Sequence, residues 1–345
     1  MPNVQRSIEE SIESRPLDKP DDHAPIEQAC IPSAQEPQTG TQLSQPAGAP
    51  DPQADSVTFT AKHLQGGGEP DLLIQSSDGA LFHVHTWILN GASTNAFDGL
   101  ASKAGSTHLT TAAVSIVDEA ASTLDIILRA VYRIREWRQD PSTNALIEAV
   151  DCFEKYGLSP ASYVSAVPIT EGGATRFPSE NRSPIFDALL SRAHDDALTI
   201  YALAGHYDLH DLAVAVSEHL LSLKMSDVDE DLALRMQTTY FMKLLMLHHE
   251  RQKALKEIVE PPPAVHPPTP GSGSRKHDDI QLKWKMAVAN LIWDADPIHG
   301  LSVSDLEGTL EAALEGEHCE SCRENFVDRI RDVLVKWECV KTTID

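Results

Sequence analysis

The regular pattern of hydrophobic and polar residues begins at Asp71. Residues 72–74 are an apolar run, and further along the chain Phe82 and Val84 alternate with histidines, as the residues of a half-buried strand do. Ser77-Asp78-Gly79 stands between the two stretches, and this composition is typical of a tight turn whose glycine takes a positive φ. The pattern therefore predicts a β-hairpin.

After the hairpin the pattern changes to helical segments and one more strand. The strongest helical signal is the apolar stripe at positions 124, 127, 128 and 131, which lies on one face of a helix. Strands and helices mixed in this way predict an α+β fold. The predicted elements are a helix from about Thr86, a helix over 93–103, a strand over 114–117, a helix from about 122 and a helix over 144–156 that stops at Gly157.

The second half of the chain is predicted to be helical, apart from two connecting segments. Residues 168–184 contain three prolines and two adjacent glycines and are predicted to form an exposed loop. Residues 185–260 are predicted to form a helical extension. Residues 261–279 have the composition of a Pro/Gly/Ser linker, and residues 280–345 carry apolar positions at helical spacing that predict a small helical C-terminal unit.

One short pattern occurs twice. Tyr156-Gly157-Leu158 and Tyr207-Asp208-Leu209 both end a helix with a tyrosine, turn on a small or polar residue and place a leucine before the next element. We interpret the two occurrences as the same way of packing the end of a helix and not as a sequence repeat.

Composition separates the N-terminal end from the rest of the chain. Residues 1–56 hold nine of the 22 prolines and no Phe, Tyr or Trp. A segment of this kind buries too little apolar surface to offset its ordering entropy, so we expect a disordered, acidic, proline-rich tail there. The first residues also lack the charged-then-apolar profile of a signal peptide.

Net charge limits the classes of partner. The chain has 28 Lys and Arg against 52 Asp and Glu, a formal net charge of −24, so we expect its surface to repel nucleic acids and anionic membranes. No apolar stretch reaches the roughly 18 residues that a membrane-spanning helix needs. The five cysteines are odd in number and are expected to be reduced thiols of a cytoplasmic or nuclear protein.

Histidines and cysteines are the candidate metal ligands. His83 and His85 would share one face of a strand, but zinc needs at least three protein ligands and no third one lies close in the sequence. His318, Cys319 and Cys322 are the better candidates, because cysteines three positions apart face the same side of a helix. The next cysteine lies about 25 Å further along that helix, so structural cysteines are the preferred interpretation.

Short motifs typical of enzymes are absent from the sequence. There is no Gly-x-Ser-x-Gly, no dinucleotide fingerprint and no phosphate-binding Walker loop. The pair His206 and His210 has the spacing of a zinc protease motif, but Tyr207 stands where that motif needs glutamate. We therefore expect neither a cofactor nor enzymatic activity.

A set of short motifs in residues 71–158 is shared with a known family. The most specific one is Phe82-His83-Val84-His85, which leads into a helix with a leucine and is followed by a serine and a phenylalanine. On these motifs the segment resembles a BTB/POZ domain, in the form found in fungal proteins with a helical C-terminal continuation. The resemblance implies a small mixed sheet capped by helices over residues 57–167. The residues that carry it are Asp71, Gly79, Phe82, Val84, His85, Leu89, Ser93 and Phe97.

The resemblance also implies a function in binding other proteins. Domains of this family homo- or heterodimerise, and many recruit cullin-type ubiquitin ligases or transcriptional partners. We therefore expect a self-associating scaffold or adaptor, with a homodimer or a cullin-type ligase as candidate partners and Leu100 as a candidate residue of the partner surface. A transcription-linked regulator without its own DNA-binding domain is one alternative, and a zinc-dependent enzyme is another.

Overall fold

The computed structural model describes residues 56–59, 68–103, 114–171, 174–265, 275–293, 301–315 and 319–345. The predicted N-terminal tail lies outside these residues, except for Ser56, and so do His318 and residues 266–274 of the predicted linker. Within them the chain is a mixed α and β protein, rich in helix, with one small four-stranded sheet. The predicted α+β class is confirmed.

The four-stranded sheet contains the predicted hairpin. Its strands are β1 (Ser56–Thr58), β2 (Leu72–Gln75), β3 (Leu81–Val84) and β4 (Val114–Ile116), in the spatial order β1-β3-β2-β4. β2 and β3 are antiparallel, with Ile74 opposite Phe82, and Gly79 in the connecting turn has a φ of 89°. β1 joins β3 and β4 joins β2 in parallel. Alternate residues of β2 and β3 are buried, as the period of a strand requires.

Helices cover the inner face of the sheet. They are α1 (Thr86–Ala92), α2 (Leu100–Lys103), α3 (Ala121–Val131), α4 (Thr143–Asp151) and α5 (Pro160–Tyr163). The apolar stripe of α3 is buried as its spacing predicts, since Leu124, Ile127 and Leu128 have no exposed surface. We call the part from β1 to α5 the first module.

The predicted continuous helix over residues 93–103 is wrong, because only Leu100–Lys103 is helical. Ala96, Phe97 and Asp98 have φ values of 55–57°, in the left-handed region. Such a conformation is unfavourable for residues with a side chain. It is held here because the Ser93 hydroxyl accepts a hydrogen bond from the Phe97 amide at 2.7 Å, and the Phe97 ring stacks on Tyr156 with centroids 4.3 Å apart.

The predicted exposed loop over residues 168–184 contains regular structure. A two-stranded hairpin is formed by β5 (Ile169–Glu171) and β6 (Ala174–Arg176), and a 3-10 turn covers Ser179–Asn181. Phe177 is buried and its ring lies 5.6 Å from that of Phe186. This aromatic contact attaches the segment to the helical extension, which is why it departs from a solvated loop.

The remaining helices fall into two hydrophobic clusters. The helical extension consists of α6 (Pro184–Ser191), α7 (Ala193–His206), α8 (His210–Ser217), α9 (Glu230–Arg235) and α10 (Gln237–Val259), and the C-terminal part of α11 (Arg275–Trp293), α12 (Val303–Ala312) and α13 (Glu320–Glu338). The first cluster joins the sheet to the helical extension, and the second packs the end of α10 against α11 to α13. Among the described residues no helix is both long and apolar enough to cross a membrane.

Candidate interaction surface

The corner between β3 and α1 is held by a closed set of hydrogen bonds around His85. The His85 side chain is buried, and its Nε2 lies 3.0 Å from the Gly68 carbonyl, which can only accept, so Nε2 carries a proton. Nδ1 lies 2.9 Å from the Tyr132 hydroxyl, and that hydroxyl accepts from the His85 backbone N–H at 2.8 Å. Burial raises the pKa of Tyr132 to about 12. Both ring nitrogens of His85 are therefore occupied within the fold.

Asp71 caps the helix that follows this corner. His85 occupies the N-cap position of α1 but makes no capping bond with its side chain. The Asp71 carboxylate instead accepts from the Thr86 amide at 2.7 Å and from the Thr86 hydroxyl at 2.5 Å. A carboxylate at a helix N-terminus satisfies free backbone N–H groups and interacts favourably with the helix dipole. The role of Asp71 here is to position α1.

The apolar residues on which the resemblance rests lie inside the first module. Phe82, Val84, Leu89 and Phe97 are all at most 1% exposed. The Ser93 hydroxyl donates to the Tyr156 carbonyl at 2.7 Å, which ties the end of α1 to the turn that follows α4.

Leu100, predicted as a partner contact, is also buried. Its side chain is only 7% exposed and belongs to the first hydrophobic cluster. The apolar side chain packs inward from α2 because α2 lies against α1. The prediction is therefore corrected: the side chain of Leu100 is not available to a partner in this structure.

A buried carboxylate, Glu119, forms a cluster that the sequence did not single out. Glu119 is 8% exposed and accepts from the Tyr156 hydroxyl and the Lys155 ammonium, both at 2.5 Å. Burial alone raises the pKa of Glu119, but the hydrogen bonds from Lys155 and Tyr156 outweigh it and hold the pKa below the ordinary value of 4.5. Because the partners lie 36 and 37 positions away, local spacing contains no signal for this contact.

The chemistry of the Glu119 cluster is that of a structural anchor. The Cys152 thiol donates to Glu119 at 3.7 Å, and burial together with the nearby Glu119 charge raises the pKa of Cys152 to about 11. This thiol therefore stays protonated near neutral pH. Only the deprotonated form, the thiolate, is a good nucleophile or metal ligand. The cluster joins the loop before α3 to the end of α4.

The candidate metal ligands do not form a site among the described residues. Cys319 is the N-cap residue of α13, and Cys322 is buried in the second hydrophobic cluster. His206 and His210 lie on different helices, α7 and α8. Across the described part of the chain, no group of three or more His, Cys, Asp or Glu side chains is arranged to hold a metal ion.

The outer face of the four-stranded sheet carries apolar side chains at the surface. By the strand register Leu73 is opposite Val114, and Gln75 is opposite Ile116, so these four residues point to the same side. Val114 is 45% exposed and Ile116 is 72% exposed. Leu73 is partly exposed beside them. Leu81 on β3 is opposite Gln75 and is also partly exposed on this side. We call Leu73, Leu81, Val114 and Ile116 the outer sheet face.

The side chains of His85, Asp71 and Ser93 are thus engaged in hydrogen bonds within the first module, while its outer sheet face turns apolar groups toward solvent. In comparisons with family models, with curated proteins and with solved structures, the chain has no match.

Proposed function

We propose that this chain is a protein-interaction module of BTB/POZ type that self-associates through its first module. The order of elements supports the proposal. A parallel first strand, a hairpin, two helices, a further strand and two more helices follow one another from β1 to α4, around a small mixed sheet. This is the arrangement that the family resemblance implies.

The observation that carries the proposal is the exposure of the outer sheet face. Scattered single apolar residues are normal on a protein surface, but neighbouring ones on one face are typical of an interaction site. Ile116 and Val114 are adjacent on that face and are among the more exposed large apolar residues of the described chain. We propose that a second copy of the chain covers them.

The contacts of the motif residues support binding in preference to catalysis. The side chains of His85, Asp71 and Ser93 are all engaged in hydrogen bonds that build the corner and the helix ends. A catalytic group needs a free position within hydrogen-bond reach of a substrate. We propose further that the module acts as a scaffold or adaptor, with a cullin-type ubiquitin ligase as one candidate partner that must contact residues other than Leu100.

The test is a pair of matched lysine substitutions measured by light scattering of the full chain. Ile116→Lys places a charge in the proposed interface, and an unpaired buried charge is strongly unfavourable, so we expect the dissociation constant to rise roughly 100-fold. Leu234→Lys is the control, because Leu234 in α9 is 71% exposed and the change in net charge is the same. Equal masses for the two variants and the unmodified chain, at every concentration, would rule out the outer sheet face as the interface.

A further inference from the structure

A groove rimmed by arginines lies between the end of α3 and the start of α6. Its cavity has a volume of about 380 Å³, and its lining includes Arg129, Arg133, Arg135, Ile134, Tyr163 and Pro184. We call it the arginine groove. The charged side chains among its lining residues are all arginines. The outer sheet face lies elsewhere on the module, so the groove is a separate surface.

Two of the three arginines have no carboxylate partner among the described residues. Arg129 is neutralised by Asp125, whose carboxylate lies 2.6 Å from its Nε. Arg133 and Arg135 are exposed, and the one hydrogen bond of Arg135 goes to the Arg182 backbone carbonyl at 2.9 Å. The groove therefore keeps two unpaired positive charges in a chain whose formal net charge is −24.

The floor of the groove is apolar, and a helix begins at its edge. Ile134, Tyr163 and Pro184 are each partly exposed, so an apolar group could cover them. Pro184 is the first residue of α6, whose N-terminus adds a partial positive charge to the same edge. Arg133 and Tyr163 both line the groove, and burial raises the pKa of Tyr163 while the charge of Arg133 opposes that shift.

We infer that the arginine groove binds a short acidic segment of a partner protein that carries one apolar anchor residue. The unpaired guanidinium groups would bind carboxylates, which match their planar donor geometry, and the apolar floor would take the anchor. The distant acidic residues of the chain act weakly there, because charges further apart than the Debye length of about 8 Å are screened at physiological salt. The inference rests on the proposed role in protein binding and names the chemistry of one partner.

The experiment titrates the full chain with a labelled synthetic peptide and follows fluorescence anisotropy. The peptide has about 12 residues, with Asp and Glu around a single Leu, and a second peptide replaces every acidic residue by Lys. In the test variant, Arg133→Asn is combined with Arg135→Gln, since Asn tolerates the positive φ of 56° at position 133. Arg138→Gln is the control for loss of a nearby arginine outside the groove, because Arg138 is exposed and lines the neighbouring cavity instead.

We expect the acidic peptide to bind saturably. Its affinity should fall roughly tenfold in the double variant, because two solvent-accessible ion pairs are lost, and should be unchanged in the control. Arg135→Glu should shift the preference toward the lysine peptide. Three results would overturn the inference. The first is no saturable binding of the acidic peptide, and the second is an equal loss of peptide affinity in Arg138→Gln. The third is binding of inorganic phosphate or a single-stranded oligonucleotide that depends on Arg133 and is tighter than that of the peptide. Self-association is measured separately by light scattering, so the two proposals fail independently.

Discussion

At the scale of single residues, polar side chains in the first module hold elements in place. Asp71 caps α1 from 15 positions earlier in the chain, and Ser93 bonds a carbonyl 63 positions later. His85 uses both ring nitrogens in the same way. Contacts of this length define where helices end and how they meet, which is what a rigid platform for another protein needs.

Phe97 should be one of the most sensitive positions for stability. Its side chain has no exposed surface and stacks on Tyr156. Truncating a buried phenylalanine leaves a cavity, so Phe97→Ala should lower the free energy of unfolding by about 3–5 kcal/mol. Urea denaturation measures the loss, and Trp87→Ala, at a 45% exposed side chain of α1, is the control with a much smaller expected effect. A loss under 1 kcal/mol would mean that Phe97 is not packed as described.

Glu119 should make stability depend on pH in the acid range. Its pKa is lowered in the folded state by Lys155 and Tyr156, against the effect of burial. The carboxylate therefore stabilises the fold above its ordinary pKa of 4.5, and this contribution is lost as the pH falls through the lower folded value. Glu119→Gln should flatten the fall in stability below pH 4.5.

The comparison for this acid effect is Glu311→Gln, which removes one charge at an exposed position of α12. Thermal unfolding of the full chain from neutral to acid pH gives both profiles. If Glu119→Gln and the unmodified chain lose stability in parallel below pH 4.5, the Glu119 carboxylate does not have the lowered pKa that its contacts indicate.

At the level of secondary-structure elements, the two Tyr-x-Leu patterns adopt the same backbone geometry. Gly157 and Asp208 have φ values of 65° and 52°. The amides of Leu158 and Leu209 each bond a carbonyl five positions earlier, both at 2.8 Å. In both, the amide after the left-handed residue satisfies a carbonyl of the preceding turn. For Leu209 this turn is the end of α7, and for Leu158 it lies in the turns that follow α4. Local sequence is enough to predict such an ending because its bonds are local.

Elements whose conformation depends on distant contacts were predicted less well. The hairpin, β4 and α3 follow from period and turn residues and are present with small shifts in their ends, whereas α4 ends at Asp151 and not at the predicted residue 156. The turn at residues 93–99 has the composition of a helix but is held open by Ser93 and Tyr156. The burial of Leu100 and the Glu119 cluster also arise from tertiary contacts, which carry no short-range pattern.

The crossing of α7 and α9 gives a prediction about a helical glycine. A Cβ added at Gly205 would meet the backbone of Met236, which cannot move away as a flexible side chain could. Gly205→Ala should therefore destabilise the fold by about 1–3 kcal/mol, although alanine is the better helix former by about 1 kcal/mol. Gly308→Ala in α12 is the control, since nothing lies within 4 Å of its added Cβ, and it should stabilise. Both are measured by urea denaturation, and a stabilising Gly205→Ala would contradict the close crossing.

At the scale of the whole molecule, the C-terminal helices are less separate than the sequence suggests. The C-terminal unit was predicted to begin at residue 280, but α11 begins at Arg275, and the end of α10 contributes Leu255 and Val259 to the second cluster. Ile344 returns to the first cluster, where its amide bonds the Ser217 hydroxyl at 3.0 Å. Periodicity predicted the helices, while these joining contacts depend on tertiary packing between distant residues, such as Ser217 and Ile344, which lie 127 positions apart.

If a second copy of the chain covers the outer sheet face, the full chain dimerises reversibly. Sedimentation velocity of the unmodified full chain, over a dilution series at neutral pH, measures this. We expect a mass that approaches twice 37.7 kDa at high concentration and falls toward the single-chain mass on dilution. A mass that stays at 37.7 kDa up to the highest concentration would contradict it.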